Sequence, residues 1–91
     1  MSGFDNKAKK IVLTRHAEQK LEERGLKREW VERTARNPYW IEPEPRDKSA
    51  ERRFAPIHEF GGRVLRVVCV ETGDAIRVIT ILFDRDARSD R

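Results

Sequence analysis

A chain of 91 residues is long enough for one small domain and too short for two. Charged side chains make up 40% of it against a usual ~25%, yet the apolar residues gather between Phe54 and Phe83, so a compact core is feasible. The net charge of +4 suits either acidic partners or ordinary solubility, and no apolar run is long enough to span a membrane.

Residues 1–9 are polar, carry no signal-peptide pattern and are expected to form a flexible N-terminal segment. "KIVL", Lys10 to Leu13, reads as a short strand or an extended entry. Thr14 is a good N-cap for a helix running from Arg15 to about Arg24. Gly25 fits the C′ position of that helix, and Leu21 and Leu26 stand where a Schellman motif makes its hydrophobic contact. A second helix over Arg28 to Arg36 would bury Trp30, Val31, Thr34 and Ala35, and Asn37-Pro38 ends it.

Tyr39 to Glu42 can form an edge strand, because Pro43 and Pro45 exclude a central one. Three strand-like runs follow, Glu51 to Phe60, Arg63 to Glu71 and Ile76 to Phe83, and their short links make an antiparallel meander. Residues 85–91 alternate in sign and read as a solvated tail. The expectation is an α+β fold, two N-terminal helices packed on a twisted antiparallel sheet of about four strands, in one domain over residues 10–84.

The turns also imply a register, and register decides which side chains share a face. A two-residue loop at Gly73-Asp74 pairs Val70 with Arg77 and Arg66 with Ile81. A Gly61-Gly62 loop pairs Phe60 with Arg63, and hence Arg53 with Val70. Phe54, His58, Leu65, Val67, Cys69, Ile76, Val78, Thr80 and Leu82 then face the helices. Arg53, Arg66 and Arg77 lie among aliphatics on the other side. Pro56 cannot donate to a ladder, and a bulge beside it would move Arg53 to the helix side.

From "LTRHAEQKLEERGL" through "VERTARNP" to "LRVVCVE" and "IRVITILF", the chain resembles a bacterial family known as domain-of-unknown-function family 4258. The likeness covers Ile11 to Phe83 and rests on His-Ala and Arg-Gly at their spacing. More distantly the layout is similar to the BrnT branch of the RelE/ParE-like toxins, small ribonucleases that cleave messenger RNA. There "ERR" (Glu51 to Arg53) looks like the BrnT Glu-x-Arg element, and "IRVIT" resembles its last strand. After Thr80 the chain departs from BrnT, with aliphatics in place of a basic residue and no clear C-terminal helix.

The resemblance implies a toxin-type protein acting on RNA, either a metal-independent endoribonuclease or a degenerate relative. Such an enzyme needs a base, an acid and cations around the phosphorane. Arg53, Arg66 and Arg77 are the candidate cations, since guanidinium matches phosphate oxygens bidentately. They could equally be a partner-facing sheet surface with stems covering aliphatics. His16, in the first turn of helix one, is the candidate base, because the helix dipole there opposes an added proton. It could instead fasten the helix to the sheet.

Arg24 could reach towards a shared RNA ligand or simply stand as a cation at its own helix C-terminus. Trp30, Trp40 and Tyr39 either stack on bases or pack. Cys69 is a core residue without a local cation, and as the only cysteine it excludes an intrachain disulfide and suits a reducing cytoplasm. No spacing of ligands suggests a metal, and no cofactor is expected. Neither helix carries the row of base-reading residues that DNA binding requires. The alternative to RNA is a non-catalytic binding module whose Arg/aliphatic sheet face receives a partner segment, such as an acidic antitoxin-like helix.

Overall fold

The computed structural model describes residues 9–87. All of the expected N-terminal segment except Lys9, and the end of the charged tail, lie outside the described residues. The chain forms β1 (Lys10–Leu13), α1 (Arg15–Glu23), α2 (Arg28–Arg36), β2 (Trp40–Pro43), β3 (Glu51–Ile57), a 3₁₀ turn (His58–Phe60), β4 (Arg63–Glu71) and β5 (Ala75–Phe83). Among the described residues no helix is long and apolar enough to cross a membrane.

The α+β class is as expected, but the sheet is not. It has five strands in the order β1-β5-β4-β3-β2, and β1 runs parallel to β5. "KIVL" is too short for its periodicity to separate a strand from an extended entry. Its partner is at the far end of the sequence, and the helices and three strands between supply the long return that a parallel pair needs. The amides of Lys10 and Thr14 fix it there, donating to the carbonyls of Asp74 and Val78.

The helix ends follow local chemistry. The Thr14 hydroxyl accepts from the Ala17 amide at 3.1 Å and donates to the Ile79 carbonyl at 3.1 Å, tying the start of α1 to β5. At the other end Gly25 adopts φ 63°, and its amide and that of Leu26 donate to Glu22 and Leu21, the two bonds of a Schellman motif. Ala17, Trp30, Val31 and Ala35 bury themselves on Leu65, Val67, Cys69, Ile76 and Val78. Both helices lie on that face alone, α1 against β1 and β5, α2 against β3 and β4.

Two registers differ from the turn-based expectation. Between β3 and β4 the 3₁₀ turn takes up His58, Glu59 and Phe60, so Ile57 rather than Phe60 pairs with Arg63. The offset is odd, and an odd offset turns over every side chain of the strand. Arg53 therefore pairs with Val67 and faces the helices, whereas Phe54 pairs with Arg66 on the other side. Between β4 and β5 the expected pairing of Val70 with Arg77 holds. A bulge then leaves Ile79 without a partner, Thr80 opposite Val68 and Leu82 opposite Arg66. Thr80 and Leu82 thus join the open face, and Ile81 and Phe83 take their places towards the helices.

Candidate functional site

The expected triad of arginines is divided by the sheet. Arg53 is 5% exposed on the helix side. Its Nη1 donates to the Ala35 carbonyl at 2.6 Å in the last turn of α2, its Nε to Glu51 at 2.8 Å, and its Nη2 pairs with Glu51 and Glu71. A cation at a helix C-terminus meets both the dipole and an otherwise unpaired carbonyl. Lys9 completes the cluster, donating to Glu71 and to the Thr72 carbonyl. The guanidinium bond, then the Lys9 bond, hold the Glu71 carboxyl below the usual carboxylate range. All three nitrogens of Arg53 are thus engaged within the fold, on the side away from the open face.

Cys69 lies beside this cluster, so a cation is near it, contrary to expectation. Burial outweighs that cation and pushes the thiol up to about 11, which leaves it inert at neutral pH.

Arg66 and Arg77 do share the open face, but they are not adjacent. Arg77 pairs with Val70, four residues along β4 from Arg66, which is about 13 Å. Arg77 is exposed and makes no hydrogen bond or ion pair with the described residues. His16 and Arg24 are exposed at opposite ends of α1, in the helix layer and away from that face. His58 stands exposed in the 3₁₀ turn rather than against the helices. Trp30 is packed under α2, Tyr39 is 63% exposed next to the edge strand, and Trp40 stacks on buried Phe54 at 4.8 Å. Among the described residues no group of histidine, cysteine or acidic side chains is placed to hold a metal ion.

What the open face does contain is a groove of about 410 Å³ beside Arg66. Its floor is Val68, Ile79, Thr80 and Leu82, and its wall is the segment from Glu44 to Ala50. That wall is internally bonded, with the Asp47 carboxylate accepting from the Ser49 amide and hydroxyl, and the Glu44 amide donating to the Ala50 carbonyl. Glu44 accepts from Arg52 at 3.0 Å and from the Arg46 amide at 3.1 Å, and the Arg52 bond chiefly lowers its pKa. Arg66 makes one bond, from Nη1 to Asp84 at 3.2 Å, while its Nε is buried without a partner.

Residues 13–83 match the family described as a domain of unknown function, DUF4258. The chain belongs to that family. No curated protein and no solved structure matches the chain. The expected resemblance to the BrnT-type toxins draws no support from these comparisons. In structural terms the DUF4258 region runs from the last residue of β1 to the last of β5 and includes every residue that lines the groove, with Asp84, the partner of Arg66, one residue beyond it.

Arg52, Glu44 and the groove itself were not singled out in the sequence. Arg52 would have followed from the correct register, because a residue next to Arg53 must face the other way. The fold-back of the segment carrying Glu44 has no periodic signal.

Proposed function

We propose that this DUF4258 protein is a non-catalytic binding module whose open sheet face receives an acidic, apolar segment of a partner protein. One observation carries the reading: the face away from the helices pairs partly exposed aliphatics with arginines. Val12 is 44% exposed, Val70, Ile79 and Leu82 are partly buried, and Arg52, Arg66 and Arg77 rise between them. Arginine and apolar groups together are the composition of interface centres. The net charge of +4 adds attraction for an acidic partner. The buried reduced thiol of Cys69 suits action in the cytoplasm.

The RNA-acting, toxin-like reading draws less support. It needs cations and a base converging on one phosphate, whereas Arg53 is buried on the other face, bonded to Glu51, Glu71 and the Ala35 carbonyl, and His16 lies in the helix layer. Single-stranded RNA would also want exposed rings beside the open-face arginines, whereas Tyr39 lies next to the edge strand and Phe60, with Arg63 over its ring, lies in the turn before β4.

The test is an NMR titration with a short capped peptide of alternating glutamate and leucine, set beside a single-stranded RNA oligomer. The module reading expects the peptide to shift amides of Val70, Arg77, Ile79 and Leu82, and expects Arg77→Ala to weaken it severalfold. Cleavage of the RNA in the presence of a chelator would sink the non-catalytic reading. So would RNA binding at that face with a salt slope of about −0.7 per phosphate and no response to peptide.

A further inference from the structure

We infer that the groove beside Arg66 is a carboxylate socket, filled by an acidic side chain of the partner segment, which displaces Asp84 from the guanidinium. This rests on the binding-module reading and adds the residue that sets its specificity.

The argument starts from what Arg66 leaves unused. A guanidinium offers five donors, and its Nε and Nη2 edge takes a carboxylate through two parallel bonds. Arg66 spends only Nη1, on one oxygen of Asp84 at 3.2 Å, long for a charge-assisted bond. Its Nε is buried with no acceptor, an arrangement that costs free energy until something answers it. Arg53, one step away across β3 and β4, shows what a finished site looks like, with acceptors on Glu51, Glu71 and Ala35.

Asp84 is also a weak occupant. Its Oδ1 is committed to the turn after β5, accepting from the Asp86 amide at 2.9 Å and the Ala87 amide at 3.2 Å. Only Oδ2 reaches Arg66, so Asp84 can release the guanidinium and keep its turn. Once released, the side chain can swing towards the groove that it lines and present Nε and Nη2 together.

The groove's other charges favour carboxylates spaced along an apolar chain over the continuous charge of a phosphate backbone. Glu44 and Asp47 line it with Arg46 and Arg52, so a run of phosphates would meet two acids. Those acids are already hydrogen-bonded, Glu44 to Arg52 and Asp47 to Ser49, and Glu44 meets Arg66 only through its charge, without a bond to it. Val68, Ile79 and Leu82 offer the neighbouring side chains of the segment an apolar floor.

The experiment uses the full chain and the same glutamate–leucine peptide, with a glutamine–leucine peptide as control. The readouts are affinity and the Nε–H resonance of Arg66. Binding of the acidic peptide should move that resonance, and the glutamine peptide should not. Arg66→Lys, which keeps the charge and loses the fork, should weaken the acidic peptide about tenfold. Asp84→Asn should tighten it by roughly threefold, because the incoming carboxylate no longer displaces a charged competitor. If face amides such as Val70 shift while the Arg66 Nε–H stays still and neither variant changes affinity, the socket is wrong and the module stands. If no amide of the face responds to the peptide, both fall.

Discussion

Arg53 and Arg66 occupy adjacent strands one register step apart, yet they meet opposite environments. On the helix side the Arg53 side chain is 6% exposed, and every acceptor it needs comes from the strand ends and the last turn of α2. On the open side the Arg66 side chain is 20% exposed and holds a single bond. The same residue type closes the structure on one face and remains unfinished on the other. The difference lies in the second layer: helices bring carbonyls and shut out water on one face, whereas the other is covered only in part, by the segment from Glu44 to Ala50.

The largest expected effect is on the finished side. Arg53→Ala leaves two carboxylates and the Ala35 carbonyl without their donor. Breaking a buried pair costs ~3–5 kcal/mol, and the partial exposure of Glu51 and Glu71 places this one near ~3 kcal/mol. In a domain of this size that lowers the melting temperature by ~12 °C or more. Thermal or urea unfolding measures it, and a loss below ~1 kcal/mol would show that the cluster is not what separates the two faces.

A smaller effect belongs to acid. Glu71 has a folded pKa below its ordinary value of 4.5, because Arg53 and then Lys9 bond to its charged form. The unfolded chain therefore takes up the proton more readily. Its contribution is complete above the unfolded value and is lost as the pH falls through the folded one. At neutral pH Glu71→Gln should be less stable than wild type, and the two urea midpoints should converge below about pH 4.5. Midpoints that stay equally far apart across that range would mean that the Glu71 charge contributes nothing.

Much of this arrangement was legible where the signal is local. The N-cap at Thr14, the Schellman end at Gly25 and Leu26, and the buried face of α2 all follow from residues a turn apart. The faces of the sheet were less so, because they depend on how many residues each turn consumes. Gly61-Gly62 reads as a two-residue loop, and the 3₁₀ turn before it has no apolar alternation to set it apart from a strand. The bulge at Ile79 is stabilised from outside its own strand, by the Thr14 hydroxyl on its carbonyl. The pairing of β1 with β5 joins distant segments and leaves no local mark. So the turn-based register puts Arg66 and Arg77 on the correct face and Arg53, Thr80 and Leu82 on the wrong one.

The smallest expected effect is on the unfinished side, and it sharpens the contrast. Arg66→Met keeps most of the stem between its cross-strand partners Phe54 and Leu82, and it removes the donor set. What is lost is one long bond to Asp84, whose other oxygen still accepts from two backbone amides. What is gained is removal of the buried Nε that had no acceptor. The two should nearly cancel, giving a change below about 1 kcal/mol in either direction. Arg53→Met keeps its stem as well but strands Glu51, Glu71 and the Ala35 carbonyl, so it should still cost ~2–3 kcal/mol. Paired urea unfolding of the two methionine variants tests this directly. If Arg66→Met is as destabilising as Arg53→Met, then Arg66 is part of the structure's own bonding. The open face would then have no spare guanidinium there to offer a partner.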